Sequence, residues 1–310
     1  MARESFHSKI LLFGEYSIIK DSMALCIPYS LFEGSLSFRQ NEGPKIDPEL
    51  KAFSQYYKRC HSKGHFKFDF DFDFRSFEFD ISQGLYFDSI IPQGFGVGSS
   101  GALCAAIFSR YAFKREKIVL DPQNIYKLKR SFASMESFFH GSSSGFDPLV
   151  SYLNKAVLIK GKDDLEMVEI PPYEKGKGGI FLLNTGRARK TEPLVNLFLE
   201  KCSSQEFNRI CDQDLLPVTH QCIDTFLKGD LNRLFGSFKK LSIFQRDHFG
   251  PMIPPLFKDV WQRGLESDEF YLKLCGAGGG GFLLGMTRDF SLIERTLSSY
   301  ETRIVYKLDY

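Results

Sequence analysis

No run of this 310-residue chain approaches 18 consecutive apolar residues, so nothing in it reads as a membrane-spanning helix. The opening residues, Met1-Ala-Arg-Glu-Ser-Phe-His7, carry no apolar signal region, and the expectation is a soluble, cytoplasmic protein without a membrane partner. Net charge is only +2, and no dense basic stripe accompanies the abundant aromatics, which gives no case for nucleic acid. The seven cysteines (26, 60, 104, 202, 211, 222 and 275) are odd in number, scattered and without CxxC spacing. That excludes a disulfide framework and a zinc site, and leaves reduced thiols in a reducing compartment. There is no internal repeat and no low-complexity tract. What remains is an ordinary globular composition, 43% hydrophobic and 25% charged, with 32 phenylalanines that imply a core filled with rings.

The most informative segment is Pro92-Gln-Gly-Phe-Gly-Val-Gly-Ser-Ser-Gly-Ala-Leu-Cys-Ala-Ala-Ile107. Gly94, Gly96, Gly98 and Gly101 crowd into eight positions ahead of an Ala-rich run, with Ser99 and Ser100 between the last two. Glycines let backbone N–H groups approach an anion, and a helix start adds unpaired donors and a positive dipole end, so the pattern reads as a phosphate cradle. It is not a Walker A loop, because no lysine follows the last glycine where one is required. Gly96–Gly101 formally satisfies G-x-G-x-x-G, the dinucleotide fingerprint. Its context is wrong: only a short apolar run precedes it, and Glu116, near the expected acidic position, lies before the next apolar run rather than after it. A purely structural turn is the remaining alternative.

Along the chain, Lys9–Phe13 reads as a strand, followed by a second short run, Ser17–Ile19. Phe66–Phe74 alternates aromatic with charged residues, the period-2 mark of a half-buried strand. Beyond Arg75-Ser76 the aromatics move to odd positions (Phe77, Phe79), which predicts a bulge or turn at 75–76. Core packing explains this stripe better than an aromatic binding surface. Asp121-Pro122 opens a helix that should run to about His140. Strands are expected at Ala156–Ile159, Gly179–Leu183, Phe282–Met286 and Arg303–Lys307, with helices dominating from Thr191 to Gly264. Pro171-Pro172 and the Gly/Lys-rich stretch after it make the best boundary, giving domains 1–174 and 175–310. The fold class is α+β.

Three further spots have the composition of chemistry, though none carries a claim singly. Lys9 starts a buried-looking strand, an expensive place for an ammonium unless an anion meets it; an ordinary solvated strand end is the simpler reading. Asp147 follows a Ser/Gly loop and precedes Pro148, where an aspartate is usually a turn or cap residue. Glu136 and His140 share one helix face at i, i+4, a spacing compatible with metal ligation but too small a set, so a solvated or capping pair is the default.

Taken jointly these segments resemble the GHMP kinases, the small-molecule kinase family of galactokinase, homoserine kinase, mevalonate kinase and phosphomevalonate kinase. Ser8-Lys-Ile-Leu-Leu-Phe-Gly-Glu-Tyr-Ser-Ile-Ile19 is similar to G-K-[VI]-I-L-F-G-E-H-A-V-V of the mevalonate kinases. The Pro92–Ala102 loop is similar to P-x-x-x-G-L-G-S-S-A-A, and Lys273-Leu-Cys-Gly-Ala-Gly-Gly-Gly-Gly281 to K-[LM]-T-G-A-G-G-G-G. Glu136-Ser-Phe-Phe-His-Gly-Ser-Ser-Ser-Gly-Phe-Asp147 resembles E-x-x-x-H-G-x-P-S-G-x-D, and Asn184–Thr191 resembles N-T-x-x-x-R-x-T. Tyr16, Cys275 and Ser143 depart from these patterns, which have His, a hydroxyl residue and Pro there.

The resemblance implies a two-domain fold, an N-terminal ribosomal protein S5 domain 2-like half and a C-terminal ferredoxin-like half. It implies ATP and Mg²⁺ as cofactors and mevalonate as the small-molecule acceptor, with phosphomevalonate the nearest alternative. Gly-Glu-Tyr16 and the basic cluster Arg187, Arg189 and Lys190 point to that alternative. A non-catalytic ligand sensor on the same fold is the alternative from another class. Carried over by position, Asp147 is the catalytic aspartate and Lys9 its cationic partner. Gly94, Gly96, Gly98, Ser99, Ser100 and Gly101 wrap the triphosphate, and Ser100 and Glu136 hold the metal. Glu15, Tyr16, Thr191, Gly276 and Ala277 face the acceptor. Homodimers are common in the family.

Overall fold

The computed structural model describes residues 4–39, 45–62, 68–113, 118–161, 164–171, 175–188 and 192–308. The chain divides into two compact units: residues 1–9, 28–92 and 98–155 form the first, and residues 10–27, 93–97 and 156–310 the second. The expected boundary at 174/175 abuts residues 172–174, which lie outside the described residues. Strands β1 (Phe6–Phe13) and β2 (Ala24–Phe38) are neighbours, and the chain passes from one unit to the other within each of them.

In the first unit the later part of β2 pairs antiparallel with β3 (Leu85–Ser89), from Gly34 opposite Ser89 to Phe38 opposite Leu85. The helices are α1 (Pro48–Ser62), α2 (Phe74–Ser82), α3 (Ser99–Tyr111), α4 (Pro122–His140) and α5 (Phe146–Leu153). Asp121 caps α4 by accepting from Asn124 N at 2.8 Å, with Pro122 at the first helical position, as its sequence predicts. Phe108 anchors the core, its ring 5.0 Å from Phe132 and 5.2 Å from Phe70.

The strand expected over Phe66–Phe74 does not form. Residues 63–67 lie outside the described residues, and Phe72 makes only an isolated bridge to Ala112. Arg75 and Ser76, read as a bulge or turn, sit in the first turn of α2. Asp73 caps that helix, accepting from Ser76 N at 3.0 Å. The shift of aromatics from even to odd positions is the spacing of a helix face: Phe77 and Ile81 are buried four residues apart. The rings do pack in the core, Phe68 against Phe108 and Phe72 against Phe77.

In the second unit Ala24–Cys26 of β2 pairs with β4 (Ala156–Ile159), which pairs with β5 (Leu165–Val168). A separate antiparallel sheet holds β6 (Gly178–Asn184), β7 (Phe270–Leu274), β8 (Phe282–Thr287) and β9 (Thr302–Leu308), in the order β7-β8-β6-β9. Helices α6 (Glu192–Cys202), α7 (Gln205–Ile210), α8 (Leu216–Leu227), α9 (Leu231–His248), α10 (Lys258–Ser267) and α11 (Phe290–Thr296) complete it. Ser17–Lys20 is a single 3₁₀ turn, and a π-helical turn, Cys211–Leu215, joins α7 to α8. Trp261 is buried and donates its indole N–H to Ser242 Oγ at 2.9 Å.

All seven cysteines are free thiols, five buried and two, Cys60 and Cys202, half-buried. No described helix is long and apolar enough to cross a membrane.

Candidate active site

In the first unit a strand, two helix N-termini and one helix C-terminus bring charged and hydroxyl groups together. Lys9 is not a strand end: β1 begins at Phe6, and Lys9 sits inside it with 6% of its surface exposed. Burying an ammonium there requires an anion. Asp147 is that anion, with Oδ1 2.8 Å from Lys9 Nζ. Asp147 lies in the first turn of α5, whose cap is Gly145, so its charge also meets the positive end of the helix dipole. Its side chain keeps about a third of its surface open.

Two glycines make this approach feasible. A Cβ on Gly101, within α3, would sit 2.8 Å from the backbone carbon of Asp147 and 2.9 Å from Pro148 N, so the two helices touch only because residue 101 has no side chain. Gly98 caps α3 at φ +79°, and a Cβ there would meet the Lys9 stem at 2.8 Å. The N-termini of α3 and α5 are thereby adjacent, each presenting backbone donors.

Ser100, in the first turn of α3, donates to Glu136 Oε1 at 3.1 Å, and its Oγ is 3.1 Å from His140 Nε2. Ser143 donates to the other oxygen, Glu136 Oε2. The i, i+4 pair on α4 converges on Ser100, with Glu136 buried and His140 exposed. Burial pushes the Glu136 carboxyl up to about 8, reinforced by the Asp147 charge; the hydrogen bonds from Ser143 and Ser100 and the charge of Lys9 act against it. Burial holds His140 below the ordinary histidine value. The family resemblance marked Lys9, Ser100, Glu136 and Asp147. His140 entered only as half of an i, i+4 pair, and Ser143 only as a departure, although a serine two residues before Gly145 N is a recognisable side-chain turn.

The donor set fits a hard divalent cation. Carboxylate and hydroxyl oxygens are the ligands Mg²⁺ takes, and it completes its shell with phosphate oxygens and water rather than with an all-protein cage. Among the described residues no cluster of three or more His, Cys, Asp or Glu side chains forms a self-sufficient metal site.

The second unit gathers another group of the expected residues. Glu15 is buried and ion-paired with Lys273, which is itself fully buried and also donates to Leu274 O at 2.7 Å. Burial raises the Glu15 carboxyl above its ordinary value, opposed by the Lys273 charge and by backbone hydrogen bonds from Glu15 and Gly276. Tyr16, at φ +64°, donates its hydroxyl to Ala277 O and lies between Phe198 and Phe249, with ring centroids 4.8 and 4.9 Å away. The third glycine loop spends several of its groups internally: Gly281 N donates to Arg187 O at 2.6 Å, and Gly281 O accepts from Thr185 N at 3.0 Å. Gly94 and Gly96 take φ values of +77° and +79° and fall in this unit's part of the second loop. Thr191, Arg189 and Lys190 lie outside the described residues.

No protein-family model matches the chain. A mevalonate kinase from Dictyostelium discoideum is 23% identical over 236 residues, which is 67% of this chain and 58% of that protein. The chain thus spans little more than half the length of the curated relative it matches. The solved structure of L. major mevalonate kinase in complex with R-mevalonate superposes with a TM-score of 0.65 at 16% identity, covering 100% of this chain and 97% of that one. Streptococcus pneumoniae phosphomevalonate kinase, in complex with phosphomevalonate and AMPPNP, gives 0.65 at 13% identity over 98% and 100%. Lactococcus lactis galactokinase complexed with galactose gives 0.61 at 15% over 99% and 94%. The fold is the one these kinases share.

Proposed function

We propose that this chain, a member of the GHMP kinase family, transfers the γ-phosphoryl group of ATP to the primary hydroxyl of mevalonate. The observation that carries the reading is the 2.8 Å contact of Lys9 with Asp147, set at the N-terminus of α5 beside Ser100 and Glu136. Phosphoryl transfer needs little covalent help, so positioning and charge neutralisation dominate. Backbone donors of the second loop and of α3 bind the triphosphate, with Gly94, Gly96, Gly98, Ser99, Ser100 and Gly101 as its cradle. Ser100 and Glu136 would hold Mg²⁺, which when bound neutralises charge on the β- and γ-phosphates.

Asp147 orients the acceptor hydroxyl and takes its proton at a carboxylate oxygen. General-base help of this kind contributes roughly 10²–10⁴-fold. Lys9 stabilises negative charge growing on the acceptor oxygen; a unit charge pair at 4 Å is worth about 4 kcal/mol at an effective dielectric near 20. An alcohol proton is too tightly held for a carboxylate alone, so Lys9 carries the larger share. Tyr16, Thr191, Gly276 and Ala277 keep the acceptor-side assignment, while Glu15 acts through Lys273 and the third loop.

One observation favours a second acceptor. Tyr16 stands where mevalonate kinases have His, and with Arg187 it suits phosphomevalonate, whose phosphate needs a basic partner. A coupled ADP-release assay with mevalonate, phosphomevalonate, homoserine and galactose decides. The proposal expects the highest kcat/KM with mevalonate. A higher value with phosphomevalonate moves the acceptor, and no turnover with any of them leaves the sensor reading.

A further inference from the structure

The Ser143 hydroxyl has two partners on two different elements. It donates its one hydrogen to Glu136 Oε2 on α4, and it accepts the N–H of Gly145, the cap of α5, at 3.0 Å. Asp147 lies two residues beyond that cap. Glu136 has only two oxygens, and Ser100 donates to the other at 3.1 Å. The carboxylate of Glu136 is therefore held between two serines, one on each side. Ser143 alone also touches the backbone that carries Asp147. A hydroxyl is required for this: proline in that place could neither donate to the carboxylate nor accept from Gly145.

Accordingly, we infer that Ser143 is a positioning residue for the cation-binding carboxylate. It fixes the rotation of Glu136 and ties that rotation to the start of α5. The inference rests on the phosphotransferase reading, because it assigns Glu136 to the metal. With Ser143 removed, the buried carboxylate is free to turn, and cation affinity falls before turnover at saturating cation does. Loss of an outer hydrogen-bonding partner of a metal ligand typically weakens metal binding about 10–100-fold.

The test titrates Mn²⁺, followed by its paramagnetic resonance signal, into the full chain saturated with AMPPNP. Ser143→Ala, Ser143→Thr and Ser143→Cys are compared with the unaltered protein. Alanine should weaken Mn²⁺ roughly tenfold, threonine should restore it, and cysteine, a poor donor, should fall between. In activity assays the Mg²⁺ activation constant should move by a similar factor, while kcat at saturating Mg²⁺ changes less than about threefold. Equal affinity across the series, or threonine no better than alanine, overturns the role of Ser143. Should Ser143→Ala melt early, threonine against cysteine still decides, and equal values refute the inference. If the unaltered protein binds neither AMPPNP nor Mn²⁺, the phosphotransferase reading itself has failed.

Discussion

Replacing Glu136 by Gln should stabilise the metal-free protein, and the gain should grow with pH. Burial and the neighbouring Asp147 charge raise this carboxyl from the ordinary 4.5 to about 8. In the unfolded chain it ionises near 4.5, whereas in the folded chain it holds its proton until about 8. Between those values the unfolded state binds fewer protons, so the stability owed to this group, complete below 4.5, is lost as pH rises and stays lost above 8. At about 1.4 kcal/mol for each pH unit, the full interval amounts to roughly 5 kcal/mol. The residue is only 4% exposed, so solvent screening removes little of it. That is a large share of the 5–15 kcal/mol that typically holds a domain folded. The assay is urea unfolding of both proteins in chelator from pH 4 to pH 9, with midpoints compared at equal slope. The variant should match wild type near pH 4 and pull ahead steadily up to pH 8. Parallel profiles would refute the reasoning, because they would mean that the carboxylate ionises in the folded protein without penalty.

Other outcomes follow from the same geometry. Asp147→Asn and Lys9→Met should each lower kcat at least about 10²-fold with little change in nucleotide affinity, and the double variant should be little worse than the worse single one; near-normal turnover of a normally melting Asp147→Asn protein would reduce that residue to a turn position. Gly101→Ala places a methyl within 3 Å of the Asp147 backbone, so α3 and α5 must part. It should cost about 1–3 kcal/mol in thermal unfolding and lower kcat more than it raises the KM for ATP. Lys273→Met strands the buried Glu15 carboxylate and should destabilise by about 3–5 kcal/mol, most of it recovered when Glu15→Gln is added; additive losses in that double-mutant cycle would show that the two do not act as a pair.

Local chemistry that one residue dictates was legible in the sequence. Asp121 and Pro122 announce α4 because a cap and a fixed φ act within one turn, and the helix does run to His140. The glycine loops were legible because positive φ and close approach restrict residue choice at each position. The alternating stretch before Phe74 was misread because period 2 reports which rings pack and not whether the backbone pairs. Phe68 and Phe72 do pack, on Phe108 and Phe77, while among the described residues of the stretch only Phe72 has a β partner, and the helix begins after Asp73. Lys9 and Asp147 lie 138 positions apart, and no periodicity links them; only the joint order of motifs placed them in one site. Ser143 was noticed as a departure from a pattern, but its two partners depend on how the turn between α4 and α5 closes.

The placement of the free thiols has a practical consequence for following the unfolding of this chain. Cys104, in the first unit, is buried, and its thiol is held well above the ordinary value by burial. Cys222, in the second unit, is buried likewise, its thiol pushed up to about 12. An alkylating reagent near neutral pH reacts with neither until its surroundings open, whereas half-buried Cys60 and Cys202 are within easier reach from the start. The first unit thus holds one buried and one half-buried sulfur, and the second four buried and one half-buried. Mass spectrometry of a labelling time course in mild denaturant separates opening of the unit that bears Lys9 and Asp147 from opening of the unit that bears the third glycine loop, with no added probe.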